Sequence, residues 1–198
     1  MTTLLVIAAL VHWLSGSVPG SAAQEPPKPV RVVIETEAGE IEAEIDIVRA
    51  PISGANFLKY VDAGLFDGGR FFRTVRPDNQ VDKPVKIAVI QASASRERRG
   101  EFFPAIPLER TSVTGLTHKD GTLSMARSTP DTARDSFSIC VGDQPSLDFG
   151  GARQPDGQGF AAFGHVVRGM DVVRKIQASA ATGETLTPPI GIIRVRRL

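Results

Sequence analysis

The chain has 198 residues, 41% of them hydrophobic and 23% charged, which describes one ordinary globular domain long enough to bury a core. A net charge of +1 gives no electrostatic case for nucleic acid or for an acidic membrane surface. The single cysteine, Cys140, excludes an internal disulfide and has no metal-ligand spacing around it.

Residues 1–23 read as a secretory signal. Leu4 to Leu14 is almost wholly apolar, a helix-breaking segment follows, and small residues at Ser21 and Ala23 precede a cleavage point before Gln24. The apolar run is short for a membrane span. The amino-terminal Met1-Thr2-Thr3 lacks Lys and Arg, so a retained membrane anchor stands as the alternative. Residues 24–29 form a Pro-rich extended linker, and residues 30–198 form the folded domain.

Val30 to Thr36 is β-branched, and Ile41 to Ile47 alternates apolar with acidic residues. Around the Glu37–Glu40 turn these predict an antiparallel hairpin whose acidic side chains form its wet face. Pro51 opens a helix, with Phe57, Leu58, Val61 and Leu65 on one face and Gly64 ending it. Gly68-Gly69 then releases a turn into Arg70 to Val75, where alternation puts Phe71, Arg73 and Val75 on one face. An arginine among apolar neighbours either snorkels to water or is held for a purpose.

Val85 to Gln91 is the next strand. Arg96 to Arg99 is a charged loop with Phe102-Phe103 as an apolar anchor. Thr122 to Ala126 and Ser136 to Val141 are short strands, and residues 150–159 a Gly-rich loop. Phe160 to Val167 is a strand, Gly169 to Ile176 an amphipathic helix, and Ile190 to Val195 a closing strand. About eight strands with two or three helices predict a mainly β fold, a closed antiparallel barrel.

The histidines lack the spacing of a metal site, so no metal is assigned. Ser124, His118 and Asp120 are close in sequence, but no nucleophile-elbow motif surrounds Ser124. The Gly-rich loop has no lysine and no strand–loop–helix context for a phosphate. Cys140, between Ile139 and Val141, reads as a buried small hydrophobe.

Several short stretches, in order, resemble the cyclophilin family of peptidyl-prolyl cis/trans isomerases. They are Phe71-Phe72-Arg73-Thr74-Val75, Ile90-Gln91, Gly121 to Ala126, Phe137 to Cys140, Leu147-Asp148, Phe160 to Gly164 and Gly169 to Val173. The resemblance runs from about Val32 to the C-terminus. It implies an eight-stranded barrel capped by two helices, and no cofactor. Arg73 would be the catalytic arginine and Gln91 the neighbour that orients it. Val89, Met125 and Leu147 would line the proline pocket with Phe71, Ser138 and Phe160, and Ala126 and Arg127 would offer backbone to the peptide.

The implied partners are proline-containing segments of unfolded or partly folded proteins outside the cytoplasm, met by a monomer. The chain departs from the family pattern where its chemistry is concentrated. Ser138 stands where the family has a pocket aromatic, Ser146 where it often has Trp, and Phe160 where it usually has His. Ala88 and Val89 replace a Phe and a Met, and residues 78–86 are an insertion. Losing the aromatic costs about 1–3 kcal/mol of substrate binding, by analogy with burying a large side chain. Phe160 is expected to turn in and restore the slot. Two further readings remain: a catalytically weak cyclophilin-fold peptide-binding module or chaperone, and an unrelated ligand-binding barrel.

Overall fold

A computed structural model of the chain describes residues 28–198. The signal, its cleavage point and most of the Pro-rich lead lie outside the described residues.

β1 (Val30–Thr36) and β2 (Gly39–Ile45) form the expected hairpin, with Val30 opposite Ile45 and Thr36 opposite Gly39. Alternation buries Ile41, Ala43 and Ile45 completely and turns Glu40, Glu42 and Glu44 outward. That outer face is an ion-pair ladder: Arg31 meets Glu44 at 2.9 Å and Arg168 meets Glu42. Such exposed pairs contribute little stability; they keep the face wet.

The remaining strands are β3 (Arg70–Val75), β4 (Val89–Ser93), β5 (Thr122–Met125), β6 (Phe137–Cys140), β7 (Ala162–Arg168), β8 (Ala181–Thr182) and β9 (Thr185–Arg197). The order β1-β2-β7-β5-β6-β4-β3-β9 returns to β1, so eight strands close a mainly β barrel, and β8 adds a two-residue flap on β9. The strand pairings are antiparallel. Closure leaves no long free edge on the barrel.

α1 (Pro51–Asp62) carries Pro at its first turn, and its N-cap residue Ala50 supplies no side-chain acceptor. The free amides are met from a distance: Ile52 and Ser53 donate N–H bonds of 2.9 and 2.6 Å to the Glu109 carboxylate. A carboxylate there also suits the positive end of the helix. The inner face buries Phe57, Leu58, Tyr60 and Val61. Phe57 is the hub, its ring centroid 5.1 Å from Phe66, 5.3 Å from Phe137 and 5.3 Å from Phe163. α2 (Thr111–Thr114) is a single turn, and α3 (Met170–Gln177) packs against β2, β3 and β4.

Some expectations change. The closing strand expected from Ile190 begins at Thr185 and runs to Arg197. The strand foreseen from Val85 begins at Val89, because the buried Gln80 amide takes both backbone groups of Ile87. Gln80 Nε2 donates to Ile87 O at 2.7 Å, and Ile87 N–H donates to Gln80 Oε1 at 3.1 Å. The charged stretch is a 3₁₀ helix over Arg96–Glu101 rather than an irregular loop. The apolar anchor after it is present, Phe102 and Phe103 meeting Tyr60 edge-on at 5.6 and 5.1 Å.

Candidate active site

β3 does not alternate as its sequence suggests. Its register against β4 slips between Phe71, opposite Ala92, and Arg73, opposite Gln91; at the same place its partner on β9 changes from Ile190 to Thr185. A bulge of this kind re-aims the side chains beyond it. Phe71 therefore points into the barrel, fully buried, its ring 6.1 Å from Phe137. It does not line the pocket, which corrects its assignment as a substrate-binding residue. Arg73 faces outward, its side chain one-third exposed. Close packing guides the chain into this strand: a Cβ on Gly69 would lie 2.5 Å from Ser93 O.

Arg73 is clamped from two sides. Its Nε donates to Glu184 Oε2 at 2.8 Å and a terminal nitrogen donates to the same oxygen. The other terminal nitrogen donates to Gln91 Oε1 at 2.8 Å. Gln91 is fixed in turn, its Nε2 donating to Ser136 Oγ at 3.0 Å and Ser136 Oγ donating to Ala92 O at 2.7 Å. A guanidinium has five N–H donors. Three are engaged, leaving one on each terminal nitrogen for a ligand.

Beside this fork lies a cavity of about 150 Å³, lined by Val89, Gln91, Met125, Leu147, Ser138 and Phe160 among others. Its apolar walls Ile87, Val89 and Leu147 belong to a small cluster with Val75 and Cys140, with Phe160 packed against it. The site thus joins an oriented cation with two free donors to an apolar slot.

The family profile described as "Cyclophilin type peptidyl-prolyl cis-trans isomerase/CLD" matches residues 31–197. A peptidyl-prolyl cis-trans isomerase of Acinetobacter baylyi is 37% identical over 146 residues, 73% of this chain and 70% of that protein. The peptidyl-prolyl cis-trans isomerase A of Dickeya dadantii is 36% identical over the same shares. The chain belongs to the cyclophilin-type peptidyl-prolyl cis-trans isomerases. The fold agrees with a cyclophilin-type isomerase of Cryptosporidium parvum at a TM-score of 0.65 and 17% identity, covering 86% of this chain and 98% of that one.

Against the family pattern, this cyclophilin has a hydroxylated floor. Ser138 on β6 pairs with Gln91 on β4 and with Ser124 on β5, and both serines line the cavity. Phe160 does face the slot, as expected. Arg127, foreseen as a backbone contact, also acts through its side chain. Its guanidinium lies 5.1 Å from the Phe160 ring centroid, donates to Gly159 O at 2.8 Å and grips Asp156 at 2.8 and 2.9 Å. Gly159 takes a φ of +66°, and a Cβ there would sit 2.7 Å from Leu147 O. That close approach lets Phe160 N–H reach Leu147 O at 2.9 Å, setting ring and leucine side by side. Ala126 donates its N–H to Ser136 O, so that donor is not open to a peptide.

The Arg127 grip holds the Asp156 carboxyl at about 2. A carboxyl depressed in the fold contributes stability that is complete above its ordinary value, about 4, and lost as pH falls through about 2. A carbon NMR titration of Asp156 is expected to show a midpoint near 2, and Arg127→Met to return it to the ordinary range. A wild-type midpoint near 4 would show that the grip is absent in solution.

His118 is not the isolated residue its spacing suggests. Fully buried, it holds Asp148 through Nδ1 at 2.7 Å and Ser124 Oγ through Nε2 at 2.8 Å. The acid is Asp148, thirty residues away, not Asp120, which instead binds Gly142 N–H and Arg174. The constellation has the outline of a hydrolytic triad but lacks two requirements. Ser124 is only 2% exposed, and the N–H of Met125, the next residue, is committed to Ala161 O. Its effect is structural: it ties the Met125 wall of the slot to the Leu147 wall. Cys140 is likewise inert, its thiol pushed far up by burial and then by Asp148, Asp120 and Asp143. Among the described residues, no cluster of His, Cys, Asp and Glu could hold a metal ion.

Sequence reasoning missed Glu184, Ser136 and Arg153. Glu184 follows Gly183 in the turn between β8 and β9, and nothing local in the sequence marks it. Only closure of the barrel brings it to Arg73.

Proposed function

We propose that this cyclophilin accelerates X-Pro isomerisation in exported proteins, with Arg73 as the catalytic residue. The observation that carries the reading is the Arg73 fork, held by Glu184 and Gln91 with two donors left beside an apolar slot. Rotation about a peptide bond costs ~18–20 kcal/mol because resonance must be broken. X-Pro bonds populate both isomers and exchange slowly. In the twisted transition state the prolyl nitrogen regains its lone pair and becomes a better acceptor. A donor fixed beside it stabilises that state more than either planar state. Glu184 and Gln91 keep the fork from reorganising, and Val89, Met125, Leu147 and Phe160 hold the ring. The chemistry needs no covalent intermediate.

The serine floor favours a second reading, a module that holds proline peptides without useful catalysis. Refolding of a proline-limited test protein separates the two. Acceleration by wild type that largely disappears in Arg73→Ala is the expected result. Unaccelerated refolding together with peptide binding that survives Arg73→Ala would favour the holding module.

Export rests on the reading of residues 1–23 as a cleaved signal. No helix among the described residues is long and apolar enough to cross a membrane. The only tryptophan, Trp13, lies within the proposed signal. Protein purified from the export compartment should therefore emit as tyrosine, from Tyr60. Tryptophan emission from that material would show that the signal is retained.

A further inference from the structure

Beyond the prolyl slot, the site continues into a second cavity of about 370 Å³, lined by Arg73, Lys83, Pro84, Val85, Arg153 and Gln154 among others. Arg73, Arg153 and Gln154 line both spaces, so the two adjoin. The second one is built from the inserted segment 78–86 on one side and the Gly-rich loop 150–159 on the other. Its walls are fixed rather than loose. Arg153 Nη1 donates to Gln80 Oε1 at 2.8 Å and to Val85 O at 2.6 Å, and Gln80 is itself buried.

The Arg153 guanidinium in this space is half-buried and has no ion-pair partner among the described residues. Its hydrogen bonds use one terminal nitrogen, leaving Nε and the other terminal nitrogen without a partner. The carboxylates around the site are engaged elsewhere: Glu184 by Arg73, Asp156 by Arg127, Asp148 by His118 and Asp78 by Arg76. Lys83 adds an exposed cation at the rim, with Asp82 beside it in the chain. Burial, and then the Arg73 charge, weigh against the charged form of Arg153, and the Glu184 carboxylate that Arg73 holds opposes them. The open edge of Arg153, Nε with one terminal nitrogen, matches a carboxylate in two-point geometry.

We propose that this second cavity is a subsite for an acidic side chain, Asp or Glu, carried by the substrate peptide close to its proline. Arg153 is the anchor and Lys83 the rim charge, so the pair sets which X-Pro segments are preferred. The proposal rests on the reading that the adjoining slot takes the prolyl ring. The apolar slot then recognises proline in general, and Arg153 selects among proline-containing segments.

Binding constants of synthetic peptides with the full chain test this without relying on turnover. The peptides share one proline and differ at the flanking positions, with Glu, Gln, Lys or Ala placed at each in turn. At one of these positions Glu is expected to bind about tenfold tighter than Lys at low salt, as for a hydrogen-bonded charge pair, with the gap shrinking as salt rises. Arg153→Glu is expected to reverse the order, Lys then binding more tightly than Glu. Arg153→Lys should keep a reduced preference for Glu, and Lys83→Glu, at an exposed position, should narrow it without touching the fold. A purely structural Arg153 would weaken all peptides alike and leave their order unchanged. Equal binding of Glu and Lys peptides by wild type, or a Glu preference surviving Arg153→Glu, overturns the proposal while Ala-flanked peptides still report the slot. Failure of every peptide, the Ala-flanked one included, removes the slot reading and the subsite with it.

Discussion

Arg73→Ala should lower kcat/KM for a proline peptide by about 10²- to 10³-fold, as expected for removing a preorganised donor from a transition state. Truncation removes both free donors at once and leaves the part-buried Glu184 carboxylate without its partner. Arg73→Lys should recover little of the loss. A lysine presents one point charge and cannot hold Glu184, Gln91 and a substrate in a planar fork. The loss should fall mainly on kcat, because the contact strengthens only as the prolyl nitrogen pyramidalises. Peptide isomerisation kinetics check this; a rate for Arg73→Ala within threefold of wild type would exclude Arg73 as the catalytic group.

Phe57→Ala should destabilise the fold by about 3–5 kcal/mol, the usual cost of emptying a buried aromatic site. Phe57 is 1% exposed and packs against Phe66, Phe137 and Phe163, which come from three separate segments of the chain. The cavity therefore opens between α1 and the barrel, where backbone on both sides is fixed and collapse is hard. Domains of this kind are stable by only about 5–15 kcal/mol, so the variant should melt about 8–15 °C lower. Val113→Ala, at a position 82% exposed, serves as the control and should change stability by less than about 0.5 kcal/mol. Denaturant unfolding of the two variants checks the contrast. Equal, small effects would mean that the aromatic cluster is not the core.

The same packing explains what was legible in the sequence. The β1–β2 hairpin, α1 and most strands announce themselves through local alternation or helical spacing, because each buries one face against the core. The slot residues were legible only through the ordered resemblance; none of their stretches is diagnostic alone. Phe71 and Arg73 do not share a face as alternation suggests, because alternation presumes a regular strand and the bulge before Arg73 depends on pairing with neighbouring strands. Glu184 sits 111 residues from Arg73, Asp148 thirty from His118, and Gln80 seventy-three from Arg153. These partners meet only when the barrel closes, so no local pattern encodes them. The late start of β4 is a local effect instead: Gln80, seven residues away, binds Ile87 in place of a ladder partner.

An Arg73 fork beside a slot lined by Ser138 and Ser124 is expected still to isomerise X-Pro bonds. Exchange NMR on an Ala-Pro peptide measures this directly, by following magnetisation transfer between its cis and trans signals with the full chain present at catalytic concentration. Exchange cross-peaks should grow with protein concentration and be lost with Arg73→Ala. Cis and trans signals that shift on binding yet exchange no faster than in the free peptide would contradict it.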